Sequence, residues 1–220
     1  MHMDSEAAQR YSGRLLELGN TNRYLLCEIL PIVSMYPHVE GVRRFVLENA
    51  GSTDENVRRC ALINLGKLAQ NYDDDSDCLQ EEYNFLIQNL NEDNAIGVAC
   101  AMALKYYGNC SGIADILWNC YEECSNNETK KKYILLSLAG VDKSIRTVEE
   151  IETQLDFDNQ EPVNNYEYME ALGEMGAVAK NAIDSLLKFT DSAIYDERTV
   201  YMASKSIISI LSVTDRDEAL

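Results

Sequence analysis

Apolar residues recur every three or four positions along almost the whole 220-residue chain, and the strict alternation of a half-buried β-strand is hard to find. This spacing places the apolar side chains on one face of successive helices. Short breaks with turn and helix-start residues separate these helices, near residues 19–22, 36–37, 51–54, 91–93, 108–109, 125–127 and 190–192. The pattern predicts an all-α chain of about twelve helices.

The helices repeat along the chain. The segment DENVRRCALINLG begins at Asp54, and we take its Leu65 as the reference position of the repeat, called the anchor. The segment DNAIGVACAMALK aligns with it so that Asp93 matches Asp54 and Leu104 falls at the anchor position. Equivalent anchors follow one another in steps of 33, 39, 34, 34 and 36 residues, at Ile32, Leu65, Leu104, Leu138, Leu172 and Ile208. A period in the thirties built from two helices is typical of a solenoid, because one helix pair cannot bury its own apolar face. The copy at Ile32 is the weaker one, and we expect the other five anchors to be buried at equivalent places.

Two stretches carry a family pattern. The first contains Asp54, Val57, Arg58, Ala61, Leu65 and Gly66, and the second is the run Ala171-Leu172-Gly173-Glu174-Met175-Gly176, followed by Ala179, Ala182, Ile183 and Leu186. Both resemble the HEAT and HEAT-like repeat family, and the resemblance extends over about residues 20–213. The fourth and fifth units depart from the pattern, with Lys130 and Asn164 where Val or Ile is usual.

The resemblance implies a right-handed α-solenoid of about six antiparallel helix pairs. It implies a single repeat domain over residues 4–215, with residues 216–220 as a C-terminal tail. Residues 1–3, Met1-His2-Met3, look like a junction left by an expression vector. The family is defined by packing residues, so the resemblance is nearly silent on function.

The composition limits the function classes. The net charge of −18 argues against a protein that follows nucleic-acid phosphates. The longest nearly apolar run, 95–104, is half of the roughly 20 residues that a membrane span needs. No basic segment followed by an apolar one opens the chain, and an odd number of cysteines, seven, indicates reduced thiols. We expect a cytoplasmic monomer that binds neither membranes nor nucleic acid.

The negative charge is concentrated in one part of the chain. Residues 1–70 hold eight basic and eight acidic side chains, whereas residues 71–220 hold 11 basic and 29 acidic ones. Such a concentration of negative charge either keeps the protein soluble or produces an electric field that steers a basic partner toward it.

Signals for catalysis are weak. The chain has no glycine-rich phosphate loop, and His38, after Pro37 at a helix start, is the histidine that remains once His2 is set aside. The sequence gives no support for a Cys–His pair and nominates no pair of carboxylates. We predict no catalytic residues and no enzyme. The alternative from another class is an enzyme of the DNA glycosylase or bilin lyase type, which HEAT-like folds include.

Signals for metals are also weak. Cys120 and Cys124 are four residues apart with Cys110 upstream, but no second pair or histidine completes a zinc site, so packing cysteines are favoured. The runs 73–77 and 156–161 are acidic but lack the glycine and terminal glutamate of a calcium loop. We interpret both as inter-helix loops, and we predict neither a metal nor a cofactor.

The best candidate site lies on the second helices of the repeats, which line the concave surface in HEAT-like stacks. Glu167, Glu170 and Glu174 share one helix face, flanked by Tyr166, with Tyr201 on a later helix. The predicted function is a protein-binding module whose acidic face docks a basic protein, as an immunity or antitoxin-type inhibitor would. Arg58 and Arg59 mark a second place for contact, unless Arg58 bridges adjacent repeats. A plain solvated face and a structural scaffold in a larger complex remain alternatives.

Overall fold

The structure, a computed structural model, describes residues 5–70, 76–108, 110–124, 126–158 and 165–217. Within these residues the secondary structure is helical and contains no β-strand, which confirms the all-α prediction. In the first half of the chain the helices are α1 (Ser5–Thr21), α2 (Leu26–Val33), α3 (Val42–Ala50), α4 (Glu55–Ala69), α5 (Ser76–Leu90) and α6 (Ala95–Leu104). In the second half they are α7 (Ile113–Glu123), α8 (Glu128–Val141), α9 (Ile145–Thr153), α10 (Asn165–Met175), α11 (Ile183–Leu187) and α12 (Glu197–Asp217).

Short 3₁₀ segments join some of these helices, at Arg23–Leu25, Gly176–Ala182 and Lys188–Thr190. The segment Gly176–Ala182 begins with a left-handed glycine, since Gly176 has φ +65°. In the described part of the chain, no helix is both long and apolar enough to cross a membrane.

Side-chain caps start several helices and explain why the breaks fall where they do. Asp54 accepts hydrogen bonds from the backbone N–H groups of Asn56 and Val57. Asn94 does the same at α6. These oxygens satisfy backbone donors that have no partner inside the helix. The alignment placed Asp93 opposite Asp54, but the cap of α6 is Asn94, so the alignment is one residue off at this helix start.

The chain divides into two compact units, the first made of Met1–Ile113 and Glu122–Ile134. In this unit α2, α4 and α6 pack in sequence, with α4 against both of its neighbours, while α3 packs on α4 and α5 on α6. Gly66 permits the close approach of α4 to α6, because a Cβ at this glycine would lie 2.7 Å from the Ala103 Cα. Backbone contact at this position requires a residue without a side chain.

The second unit comprises Ala114–Tyr121 and Leu135–Leu220. Here α10 packs on α12, α9 packs on the 3₁₀ segment Gly176–Ala182, and that segment and α11 both pack on α12. A glycine again allows the helices to approach, since a Cβ on Gly173 would lie 3.1 Å from the Ser206 Cα. The prediction of one repeat domain over residues 4–215 stays a prediction.

The anchor positions are buried in the middle of the chain and exposed toward its ends. Leu65, Leu104, Leu138 and Leu172 each have 0% exposure, as predicted. Ile208 is 66% exposed, so its predicted burial is wrong, and Ile32, the anchor of the weaker first copy, is 46% exposed.

The error at both ends is one of register. In α12 the residue that packs on Gly173 is Ser206, whereas in α6 the residue that packs on Gly66 is Ala103. The counterpart of Leu104 is therefore Ile207, and Ile208 turns outward. In α2 the buried side chains are Leu26, Ile29, Leu30 and Val33, so Val33 is buried at 0% exposure while Ile32 faces solvent.

The departure at Lys130 does not change the packing. Lys130 is 5% exposed, and its backbone N–H donates to the Asn127 side chain at 2.9 Å. A lysine can occupy such a buried position because its four-methylene stem provides apolar surface. Lys130 is thus buried at a position where the family pattern usually has Val or Ile.

A charged network is buried in the first unit. The Glu82 side chain has 0% exposure, and the Nε of Arg43 donates to its Oε1 at 2.6 Å. The Tyr107 hydroxyl donates to Glu82 Oε2 at 3.1 Å. Burial raises the pKa of Glu82, while the Arg43 and Tyr107 hydrogen bonds act in the opposite direction. The network ties α3, α5 and the end of α6 together.

Candidate functional site

Two hydrogen bonds of the Asn165 side chain fix the start of α10. Asn165 is fully buried, its Nδ2 donates to the Asp156 carbonyl at 2.8 Å, and its Oδ1 accepts from the Asp156 N–H at 3.1 Å. The start of α12 is fixed by Asp196, which accepts from the Thr199 N–H at 2.8 Å. These contacts set the register of both helices.

The three predicted glutamates of α10 differ in exposure. Glu170 and Glu174 are exposed, and Glu167 is half-buried. The opposite side of the helix is core, since Met169, Leu172 and Met175 are buried. The structure thus exposes two of the three predicted glutamates.

On the neighbouring helix α12, three residues form an exposed stripe at positions i, i+4 and i+7. Tyr201 is 63% exposed, Ile208 is 66% exposed, and Lys205 lies between them. Lys205 joins the two helices, because its Nζ donates to Glu170 Oε1 at 3.1 Å. We call the set Glu167, Glu170, Glu174, Tyr201, Lys205 and Ile208 the α10–α12 face.

The electrostatics of this face centre on Lys205. The hydrogen bond to Glu170 raises the pKa of Lys205, and the charge of Glu174 adds to the effect. Both partners of the ion pair are about half exposed, at 52% and 50%, so the pair contributes little to stability. The pair instead holds the Glu170 carboxylate at the junction of the two helices.

The sequence interpretation missed Lys205 and assigned Ile208 to the core. The spacing of Tyr201, Lys205 and Ile208 was the available signal, because residues at i, i+4 and i+7 share a helix face. The one-residue register error at the last repeat concealed it.

Tyr166 does not belong to the exposed face. Its side chain is 7% exposed, and its hydroxyl lies 3.3 Å from the Thr199 hydroxyl. The Arg198 guanidinium covers the ring at 4.7 Å from its centre. Tyr166 is a packing residue between α10 and α12, which corrects its prediction as a residue that a partner could contact directly.

Arg58 and Arg59 have different environments in the first unit. Arg58 Nη2 forms an ion pair with Glu92 Oε1 at 2.5 Å and also donates to Asn89 Oδ1. It therefore bridges α4 to the end of α5 and the following loop. Arg59 is exposed. Of this predicted pair, Arg59 is the residue that a partner could reach.

The weaker candidates do not assemble into a site. His38 is exposed, Cys120 is buried, and Cys110 and Cys124 are half-buried. Among the described residues, no group of three or more His, Cys, Asp or Glu side chains is placed to hold a metal ion. The acidic run 73–77 and residues 159–161 of the second acidic run lie outside the residues whose side chains the structure describes.

A polar cleft of about 310 Å³ lies in the first unit between the ends of α1, α3 and α4. Arg23, Glu48, Asn49 and Asp54 contribute to its lining. Its two carboxylates are already engaged, because Glu48 pairs with Arg44 at 2.7 Å and Asp54 caps α4. The cleft offers no carboxylate pair arranged for acid–base chemistry.

Comparison with known proteins adds a likeness of fold. No protein-family model matches the chain, and no curated protein is significantly similar to it. A crystal structure titled as an engineered protein, from the Northeast Structural Genomics Consortium, matches with a TM-score of 0.51 and 16% identity, over 96% of this chain and 93% of that chain. At that identity the likeness concerns the fold alone.

Proposed function

We propose that this chain is a HEAT-like repeat protein, a right-handed α-solenoid of about six antiparallel helix pairs. The packing of α4 between α2 and α6 supports this proposal, because second helices of successive repeats lie side by side in such stacks. The two glycine contacts also support it. Gly66 and Gly173 each follow a buried anchor leucine and each receive the backbone of a later helix.

We propose further that the protein binds another protein and is not an enzyme. In this proposal the α10–α12 face docks a basic partner, which contacts Glu170 and Glu174 with cationic groups and covers Tyr201 and Ile208 with apolar surface. The protein acts as a monomer in the cytoplasm. An inhibitor of the immunity or antitoxin type, which masks a basic toxin domain, is the more specific form of the proposal.

The observation that carries this proposal is the exposure of two large apolar side chains beside exposed glutamates. Tyr201 and Ile208 are both more than 60% exposed on the helix that carries the Lys205–Glu170 pair. Aromatic and aliphatic side chains surrounded by polar groups are typical of interface centres.

Net charge supports a basic partner. The segments of the second unit, 114–121 and 135–220, contain 18 acidic and 7 basic side chains. A surplus of this size produces a field that accelerates encounter with a positively charged protein.

An enzyme of the HEAT-like lyase or glycosylase type is the second candidate. A glycosylase needs a basic surface to hold nucleic acid, and the net charge of −18 opposes it. A lyase needs a pocket with a group that holds a chromophore, and the polar cleft beside Arg23 is the place to look for a bound small molecule. A scaffold role would use the same face with several partners.

The test compares two charge-reversed variants in capture experiments from an extract of the source organism. Glu170→Lys/Glu174→Lys changes the α10–α12 face. Glu149→Lys/Asp184→Lys changes two exposed carboxyls on α9 and α11 and serves as the matched control. Both changes shift the net charge by the same amount.

The expected result is a stoichiometric basic protein that the wild type and the control retain and that the face variant loses. All three chains should melt at nearly the same temperature, since the altered side chains are exposed. Equal loss in both variants would show that only the overall charge matters. Retention by both would place the docking surface elsewhere, with Arg59 the next residue to change.

A further inference from the structure

A proline inside α2 leaves one backbone carbonyl without its usual partner. Pro31 lies within the helix Leu26–Val33 and has no N–H, so the carbonyl of Cys27, four residues earlier, lacks an intrahelical donor. The thiol of Cys60, on α4, takes the missing place. Its Sγ lies 3.5 Å from the Cys27 carbonyl oxygen, in hydrogen-bonding geometry. The proline therefore brings a cysteine of α4 to the backbone of a cysteine of α2.

The Cys27 side chain lies beside the Cys60 thiol. Burial is the larger cause that raises the pKa of Cys60, and the nearby Cys27 side chain raises it further. Both residues are half-buried. The Asn64 amide nitrogen lies 3.7 Å from Cys60 Sγ and is placed to donate to the sulfur.

We propose that Cys27 and Cys60 are a redox pair that forms a reversible disulfide between α2 and α4 under oxidation by a peroxide. The pairing joins two helices that already pack together, and Cys60 Sγ already lies 3.5 Å from the Cys27 carbonyl oxygen. Because Pro31 donates no backbone hydrogen bond to the Cys27 carbonyl, the turn of α2 that contains Cys27 can shift more easily than a regular helical turn.

The reaction balances with one peroxide for each disulfide. The Cys60 thiolate attacks one oxygen of hydrogen peroxide, the O–O bond breaks, and hydroxide leaves and takes up a proton, which gives a sulfenic acid on Cys60. The Cys27 thiolate then attacks that sulfur, the S–O bond breaks, and the S–S bond forms as water leaves. Two thiols and one hydrogen peroxide yield one disulfide and two waters.

The local environment predicts how the rate depends on pH. Burial raises the pKa of the Cys60 thiol, and the charges of Lys67 and Arg59 oppose this rise. The thiolate is therefore a minor species at neutral pH. Its fraction, and with it the oxidation rate, should rise about tenfold for each pH unit below that pKa.

The experiment uses the full chain with all seven cysteines and hydrogen peroxide as the oxidant. Non-reducing peptide mapping should find a peptide that links Cys27 to Cys60, and dithiothreitol should remove the link. Cys100 is the internal control, since burial raises the pKa of its thiol to about 12 and it should stay reduced.

Two single variants separate the steps. Cys27→Ser removes the second thiol, so dimedone should trap a sulfenic acid on Cys60. Cys60→Ser should leave Cys27 without a disulfide partner. Linkage of Cys60 to a different cysteine, an unreacted Cys60 in the wild type, or equal linkage among all cysteines would each overturn the proposal. The wild-type map alone decides these outcomes, even where a variant folds poorly.

Discussion

Gly66 of α4 lies directly against the backbone of Ala103 of α6, where an added Cβ would come within 2.7 Å of the Ala103 Cα and 2.9 Å of its carbonyl oxygen. Gly173 has the same relationship to Ser206, with 3.1 Å between the added Cβ and the Ser206 Cα. Each contact brings together two helices that are the second members of successive pairs in the proposed repeat. In the proposed repeat, glycine stands at both of these close contacts between helices.

We predict that Gly66→Ala destabilises the protein. The new methyl group meets backbone atoms, which cannot rotate away, so α4 and α6 must separate. The free energy of unfolding should fall by about 1–3 kcal/mol, the usual cost of overpacking a well-packed site. Chemical denaturation followed by circular dichroism measures the change.

Gly13→Ala in α1 is the matched control. No atom lies within 4 Å of a Cβ built at Gly13. The substitution should stabilise the helix by about 0.5–1 kcal/mol, because alanine restricts the unfolded chain more than glycine does. Similar effects of the two substitutions would show that close helix contact at Gly66 is unimportant.

Leu104 and Ile208 provide a test of the repeat register. Leu104 is fully buried in α6, and Leu104→Ala should cost about 2–5 kcal/mol through lost burial and the resulting cavity. Ile208 is 66% exposed, and Ile208→Ala should change stability by less than about 0.5 kcal/mol. Urea titrations of both variants make the comparison. A large loss of stability in Ile208→Ala would show that Ile208 belongs to the core and not to the α10–α12 face.

The buried Glu82 predicts a particular pH dependence. Because the pKa of Glu82 is raised in the folded protein, the folded state binds a proton more readily than the unfolded state there. The stability linked to Glu82 is complete below its unfolded pKa and is lost as the pH rises through the raised folded value. Glu82→Gln removes this titration.

Melting curves at several pH values check the prediction. As the pH rises, the wild type should lose stability relative to Glu82→Gln within the window between the unfolded and folded pKa values. Glu55→Gln alters an exposed carboxyl at the start of α4 and is the control for charge. If the difference in stability between the wild type and Glu82→Gln is the same at all pH values, the raised pKa assigned to Glu82 in the folded protein is contradicted.

The sequence predicted the helices and the central core because local signals determine both. Breaks with Gly, Asn, Asp and Ser marked the helix ends, and the anchors from Leu65 to Leu172 recurred with apolar neighbours on both sides. At the two ends the pattern failed by one residue. In α12 apolar residues lie on both the exposed and the buried side, so spacing alone did not decide which of Ile207, Ile208 and Ile210 takes the anchor position.

The candidate site was predictable only in part. The glutamates of α10 could be placed on one face from their spacing, but the burial of Tyr166 depends on Thr199 and Arg198, more than 30 residues away. The ion pair between Lys205 and Glu170 likewise joins residues of two helices that are distant in the sequence. Such contacts depend on how helices pack, which spacing along one helix does not report.

The most direct test of the proposed binding surface is site-specific photo-cross-linking. Tyr201 is replaced by p-benzoylphenylalanine, which keeps an aromatic ring at an exposed position of the α10–α12 face. The same replacement at Tyr24, which is 97% exposed in the first unit, is the control. After irradiation in an extract of the source organism, position 201 should yield a discrete adduct with a basic protein, and position 24 should not. No adduct at position 201, or the same adducts at both positions, would contradict the account.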